Sequence, residues 1–178
     1  HAAIGPLPTP AIKAMADCAQ QQAIHGLSAM AGFFEGLSQT RAMASRLVGV
    51  AADQIALTSS TSAAISAIAA SIPWKTGDRI VLFEGEFPAN TTPWQLAAKR
   101  HGLDVVWLSV AQFETDEGLA QLQSVLAQGR VRLVAVSAVQ FNTGLRMPIE
   151  EMARLAHGHG AEVVVDAIQA IGALPFDG

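Results

Sequence analysis

The chain has 178 residues, of which 51% are hydrophobic and 15% charged, and its formal net charge is −4. This composition predicts a globular domain with a sizeable apolar core and excludes a disordered or fibrous chain. The acidic balance and the lack of a Lys/Arg cluster argue against a nucleic acid partner, and no apolar run approaches the roughly 20 residues that cross a membrane. The lone cysteine, Cys18, and the lack of a signal-peptide pattern favour a reducing, cytoplasmic location.

Helical patterns occupy the first part of the chain. Prolines make residues 1–10 an expected extended lead-in, and Thr9 is the expected N-cap of a helix that has Pro10 at its first position. Cys18 lies within this helix, where a small buried side chain is the simplest interpretation. After a turn and loop bracketed by Gly26 and Gly32, apolar spacing predicts a second helix over 33–50.

Short apolar runs and helical patterns then alternate along the chain. The strands are predicted at 55–58, 79–83, 104–109, 131–137 and in the EVVVD run that begins at Glu162. The helices between them are predicted at 63–71, 90–101, 117–128 and 148–159. This alternation predicts an α/β fold of three layers, in which a doubly wound, mainly parallel sheet is covered by helices on both faces.

Four strand-to-helix loops carry the candidate chemistry, because parallel topology brings all such loops to one edge of the sheet. These loops are 59–62, 84–89, 140–144 and 166–169. Asp166 follows three valines at the end of a buried strand, and a buried carboxylate needs a compensating partner. The serine and threonine run at 59–62 precedes a helix, so its hydroxyls either cap that helix or bind a phosphate.

Other polar and aromatic residues leave alternatives open. Phe87 either packs in the core or offers a ring face to a ligand, and Asn90 is the expected N-cap of the following helix. His25 is either a substrate-pocket group or a solvated side chain. His157 and His159 could form a metal pair, but no third ligand is evident, so no metal site is predicted. Neither a G-x-G-x-x-G sequence nor a P-loop is present.

Taken together, these segments resemble the class V aminotransferase family of pyridoxal-phosphate (PLP) enzymes, which includes cysteine desulfurases and isopenicillin-epimerase-like proteins. The resemblance spans nearly the whole chain. It rests on HAAIGPLP at 1–8, HGLS at 25–28, Thr61-Ser62, EFPAN at 86–90, VQFNTG at 139–144 and VDAIQA at 165–170. It implies the large domain of the PLP-dependent transferase fold type I, incomplete here. Residues 1–24 would form a lead-in and helix, and 25–178 the first part of the PLP-binding α/β domain.

The resemblance also implies roles for individual residues. Asp166 would pair with the pyridine nitrogen of PLP and is the expected catalytic residue, while Gln169 would bond the phenolic oxygen. Thr61 and Ser62 would bind the phosphate, and Phe87 would stack on the ring. Gln140 is a further expected cofactor contact, and His25 would belong to the substrate pocket.

Two departures from the family pattern affect the expected function. Cysteine desulfurases usually carry a histidine where this chain has Phe87, and a phenyl ring cannot move protons, which puts desulfuration in doubt. The family's Schiff-base lysine follows the Asp-x-x-Gln segment by a few tens of residues, and Lys13, Lys75 and Lys99 lie outside the four loops. We therefore expect this chain to be the N-terminal part of an enzyme about twice as long, and inactive alone.

The resemblance implies a homodimeric enzyme that acts on an amino acid, with aminotransferase, lyase or epimerase chemistry through an external aldimine. An alternative is a non-catalytic α/β module that binds a phosphorylated small molecule through residues 59–62. A structural or interaction domain with an unused sheet edge is a third hypothesis, and a large exposed apolar edge would be its sign.

Overall fold

The computed structural model describes residues 5–175, so the first four residues of the HAAIGPLP segment lie outside the described part. The chain divides into two compact units, one of which runs from Thr58 to Ala170. The predicted domain boundary between residues 24 and 25 stays a prediction.

Two helices dominate the other unit. Helix α1 spans Thr9–His25, a 3-10 turn covers Gly26–Ala29, and helix α2 spans Met30–Val48. The expected cap was wrong by one residue, because Pro8 is the N-cap and Thr9 is already helical. Proline has no N–H to leave unpaired, so Pro10 fits the first turn of α1.

The unit from Thr58 to Ala170 is built on a four-stranded parallel sheet. The strands are β1 (Arg79–Glu84), β2 (Asp104–Ser109), β3 (Val131–Ser137) and β4 (Glu162–Asp166). The helices are α3 (Thr61–Ser71), α4 (Thr92–His101), α5 (Glu117–Ala127) and α6 (Ile149–Gly158). The strand order β2-β1-β3-β4 is that of a doubly wound sheet, because the chain crosses from β2 past β1 to reach β3.

Separate apolar cores cover the two faces of the sheet. Alternate residues of β1 point to opposite faces, so that Val81 and Phe83 pack with α5 and α6, whereas Ile80 and Leu82 pack with α3 and α4. All four of these side chains are fully buried. The predicted three-layer fold is therefore confirmed.

The predicted strand at 55–58 was wrong. Within the described residues, Ile55 has extended backbone angles but no strand partner, and its carbonyl accepts a bond from Arg41 Nε at 3.2 Å. Extended angles alone do not make a strand, because a strand is stabilised by its ladder of backbone bonds. The 3-10 turn Ala52–Gln54 directly precedes it.

Candidate functional site

The carboxyl ends of the strands form one edge of the sheet, which we call the carboxyl edge. Ser137 and Asp166 are paired at the ends of β3 and β4, and Ala138 N–H donates to the Asp166 carbonyl at 2.9 Å. Gly85 turns the chain after β1 with φ of +86°, an angle that favours glycine. The 3-10 turn Pro88–Asn90 then contacts α3.

Asp166 lies at this edge as a buried carboxyl, with a side chain only 8% exposed. Burial raises the pKa of Asp166, the N–H of Ile168 lowers it through a bond of 3.0 Å to Oδ1, and the Glu86 carboxylate raises it again. Within residues 5–175, no basic side chain lies within 4.0 Å of either acid. Two buried acids without a basic partner suit a site that receives a positively charged group.

Glu86 is the centre of a hydrogen-bond network that the sequence interpretation missed. Its Oε1 accepts from Ser137 N–H at 2.7 Å and from Gln140 Nε2 at 2.9 Å. Its Oε2 accepts from the Ser137 hydroxyl and from Asn90 Nδ2, the latter at 3.3 Å. Asn90 Oδ1 in turn accepts from the Trp94 indole at 3.2 Å. Glu86, Asn90, Trp94, Ser137 and Gln140 are hereafter the Glu86 network.

The network overturns the expected role of Asn90. The structure buries Asn90 completely, and the N-cap of α4 is Thr91. The sequence signal that could have pointed to the network is an acid placed two residues beyond a strand, next to a strand that ends in serine.

Phe87 is exposed at the surface of the carboxyl edge, whereas Gln140 is buried beneath it. Phe87 is 51% exposed and meets the ring of Phe141 edge to face, with centroids 5.3 Å apart. Gln140 is 1% exposed, its amide nitrogen is used by Glu86, and its Oε1 has no partner among the described residues. Phe87 thus offers a ring face, whereas Gln140 acts from beneath the surface.

Thr61 and Ser62 form the first turn of α3. The cap is Ser60, whose Oγ accepts from Ala63 N–H at 3.1 Å. Within the described residues the hydroxyls and N–H groups of Thr61 and Ser62 make no hydrogen bond, which leaves several donors at a helix N-terminus. Ser60 therefore caps the helix, and the donors of Thr61 and Ser62 stay available to an anion.

The remaining predicted residues lie in different units. Gln169 lies in the turn after β4, three residues beyond Asp166, whereas His25 ends α1 in the other unit. His25 and Cys18 line a hollow of about 800 Å³ beside α1 and the start of α2. Cys18 is exposed, which contradicts its interpretation as a buried side chain.

A hollow of about 250 Å³ opens at the carboxyl edge and is lined by residues that include Glu84, Ser109 and Gln140. Gln140, a member of the Glu86 network, lines this hollow. Asp166, Phe87 and Thr61 do not line it. Within residues 5–175, no cluster of three His, Cys, Asp or Glu side chains could hold a metal ion. The chemistry of the edge is therefore that of acids, hydroxyls, amides and an aromatic face.

Comparison with known proteins shows the family of this chain. The family model described as aminotransferase class-V matches residues 2–178. The chain belongs to the aminotransferase class-V family. The resemblance drawn from the sequence motifs is thus confirmed.

Curated relatives in the class-V family cover most of this chain. A cysteine desulfurase from Dickeya dadantii is 36% identical over 160 residues, which are 86% of this chain and 37% of the relative. A probable cysteine desulfurase from Chlamydia muridarum is 33% identical over 78% of this chain and 35% of its own length. The chain therefore spans little more than a third of these class-V relatives.

Solved structures support the same fold. The cystine C-S lyase C-DES, in complex with cysteine persulfide, has a TM-score of 0.85 at 26% identity over 99% of this chain and 48% of its own. A cysteine desulfurase from Thermococcus onnurineus has a TM-score of 0.76 at 27% identity over 93% of this chain and 42% of its own. A further structure is a C-DES mutant with glycine covalently linked to its PLP cofactor.

None of the helices within residues 5–175 is both long and apolar enough to span a membrane.

Proposed function

We propose that the protein is a PLP-dependent enzyme that acts on an amino acid, with aminotransferase, lyase or epimerase chemistry. The observation that carries this proposal is Asp166, a buried carboxyl that ends β4 and has no basic partner within residues 5–175. A protonated pyridine nitrogen would supply the missing positive charge. Family membership and the PLP-bearing structural neighbour support this proposal.

The residues at the carboxyl edge fit PLP in their chemistry. Asp166 would bind the ring nitrogen, Phe87 would cover a ring face, and Thr61 and Ser62 would bind the phosphate with the N–H groups of α3. Gln169 would bond the phenolic oxygen. Gln140 stays a predicted contact, although its burial makes an indirect role through Glu86 the better-supported one.

When bound, PLP supplies an electron sink for a carbanion at the substrate Cα. The contribution of Asp166 is to hold a proton on the ring nitrogen. Burial and the Glu86 carboxylate raise the pKa of Asp166, so the carboxylate is a stronger base toward a cationic N–H donor. The phenyl ring of Phe87 excludes water from one face without exchanging protons.

The names of the relatives suggest a sulfur-containing amino acid as substrate. Two curated relatives are named as cysteine desulfurases, and a solved neighbour is named as a cystine lyase. Phe87 cannot transfer a proton at the ring-stacking position. We therefore propose elimination, in which the Cβ–S bond breaks with loss of the Cα proton and water then releases pyruvate and ammonia, in preference to desulfuration, which breaks the same bond but leaves alanine. Assays with cysteine and cystine would separate these reactions, because elimination yields pyruvate with sulfide or a persulfide, whereas desulfuration yields alanine.

The amine that forms a Schiff base with PLP is proposed to lie outside these 178 residues. Lys75 lies in the turn before β1 and Lys99 in the last turn of α4, both at the edge opposite to the strand ends. Homodimerisation and a cytoplasmic location stay predictions from the family resemblance and the composition.

The test uses the protein at its full natural length. We expect purified protein to carry PLP with a visible absorbance band, to be labelled covalently by PLP after borohydride reduction, and to lose activity in Asp166→Ala. The non-catalytic alternative instead predicts binding of phosphate esters with no covalent labelling. Unchanged turnover in Asp166→Ala would rule out the proposed role of this residue.

A further inference from the structure

Glu86 accepts several hydrogen bonds at the carboxyl edge, yet the proposed chemistry uses it only through its effect on the pKa of Asp166. It is 8% exposed, and its two oxygens accept four hydrogen bonds in all. All four partners are donors, which is the arrangement that an ionised carboxylate accepts. The energy of burying this charge is therefore offset by amides and a hydroxyl rather than by a cation.

The four donors tie separate segments together. The N–H and hydroxyl of Ser137 belong to the end of β3, 51 residues away in sequence, and Gln140 belongs to the loop that follows β3. Asn90 belongs to the turn after Glu86 and connects through Trp94 to the core beneath α4. Glu86 thus fixes the β1–α4 loop to the strand that pairs with β4.

A buried polar residue and an exposed aromatic residue stand next to each other in both loops. Glu86 and Gln140 form a hydrogen bond of 2.9 Å below the surface, and the residues that follow them, Phe87 and Phe141, meet above it with centroids 5.3 Å apart. The hydrogen bond of the polar pair thus joins the two loops directly before the residues of the aromatic pair. The amide of Gln140 must turn its nitrogen toward the carboxylate, which leaves its own oxygen without a partner in the described part of the chain.

We propose that Glu86 is a positioning residue that holds Phe87 at the height and tilt at which its ring covers the cofactor bound by Asp166. This inference rests on the proposed function, since it presumes that PLP lies against Phe87. A negative charge at Glu86 also acts on Asp166, whose pKa it raises, so the same side chain affects both the ring face and the ring nitrogen.

The experiment compares Glu86→Gln with wild type at full natural length. Glutamine keeps the shape of the glutamate side chain, but its amide nitrogen is a donor that would face the donor group of Asn90 or Ser137. At least one of the four hydrogen bonds is therefore lost. In cofactor-free protein we expect the Ser137 amide to exchange its hydrogen about tenfold faster. In PLP-bound protein we expect weaker visible circular dichroism, which reports how rigidly the ring is held, and an increase of about tenfold in the PLP dissociation constant.

Two further variants separate positioning from stability. Glu150→Gln changes an exposed acid on α6 and should match wild type in every measurement. Phe87→Ala keeps the Glu86 network, so it should weaken PLP binding without faster exchange at Ser137. A residue that served stability alone would lower the urea midpoint of Glu86→Gln and leave the dichroism and PLP affinity of the folded protein unchanged.

The outcomes distinguish this inference from the proposed function. Wild type that binds no PLP would overturn both. Wild type that binds PLP, together with unchanged dichroism and affinity in Glu86→Gln, would overturn the positioning role alone. Should Glu86→Gln fail to fold, Ser137→Ala removes only the hydroxyl donor, and unchanged dichroism and affinity in that variant would equally overturn the role.

Discussion

Asp166 is subject to opposing local influences that make its ionisation dependent on what it binds. Burial and the Glu86 carboxylate favour the neutral acid, whereas the Ile168 N–H favours the carboxylate. The net effect raises the pKa of Asp166, so without a cation its charge opposes folding. The same carboxylate becomes favourable once a positively charged ring nitrogen lies beside it. Asp166 therefore reduces the stability of the cofactor-free protein, and the proposed ring nitrogen would offset this effect.

This balance predicts a pH-dependent effect of Asp166→Asn. Because the folded-state pKa is raised above its ordinary value of 3.8, the folded form binds the proton more tightly. The stability from this proton is complete below the unfolded-state pKa and is lost as the pH rises through the folded-state pKa. Cofactor-free Asp166→Asn should therefore have a higher urea midpoint than wild type at pH 7, and the gain should shrink as the pH falls.

The matched control for this pH dependence is Asp104→Asn, which changes an exposed aspartate at the start of β2. Urea midpoints measured from pH 7 to pH 4 should show no comparable pH-dependent gain in this variant. A gain in Asp166→Asn that stays constant over the same range would contradict the account.

Helix α3 separates two roles within one turn. Ser60 caps the helix through its bond to Ala63 N–H, whereas Ser62 is exposed and makes no hydrogen bond within the described residues. Ser60→Ala should lower the free energy of unfolding by about 1 kcal/mol, as other cap deletions do. Ser62→Ala should leave that energy nearly unchanged and weaken PLP binding. Urea unfolding and PLP titration of both variants test this division, and equal effects on stability would contradict it.

Helix α5 depends on close packing at Gly118. A Cβ added there would lie 2.5 Å from Phe113 Cγ, and the Phe113 ring packs edge to face on Phe83 with centroids 5.5 Å apart. Gly118→Ala should therefore destabilise the protein by roughly 1–3 kcal/mol despite the better helix propensity of alanine. Gly158→Ala, at the end of α6 with nothing within 4 Å, is the control. Equal urea midpoints for the two variants would argue against this packing.

The elements that could be predicted from the sequence are those whose signal is local. Strands β2 and β3 begin and end where predicted, because each coincides with a run of apolar residues. Strand β3 is buried along almost its whole length, whereas β2 lies at the edge of the sheet and is buried only at Leu108. The strand expected at 55–58 was wrong because pairing depends on a distant segment. The role of Asn90 was missed for the same reason. Its partner Glu86 also accepts a hydrogen bond from the N–H of Ser137, which lies 51 residues further along the chain.

The whole molecule combines a confirmed family fold with a site whose parts are separately testable. Parallel topology places Asp166 and the loop that holds Phe87 at one edge, as predicted from the order of strands and helices. Helix α3 reaches this region through its contact with the turn Pro88–Asn90, although the strand predicted before it does not form. The motifs supplied the residue types, and the structure added the buried network that links two of the loops. The use of these residues to bind PLP stays a proposal, with Asp166 as its central claim.

The most direct test of this claim is the protonation of the ring nitrogen in bound PLP. Full-length protein loaded with PLP labelled with nitrogen-15 at the pyridine position would be measured by nuclear magnetic resonance at pH 7, beside Asp166→Ala. The account predicts the chemical shift of a protonated pyridine in wild type and of a neutral one in Asp166→Ala. A neutral nitrogen in wild type, or a protonated one in both proteins, would contradict it.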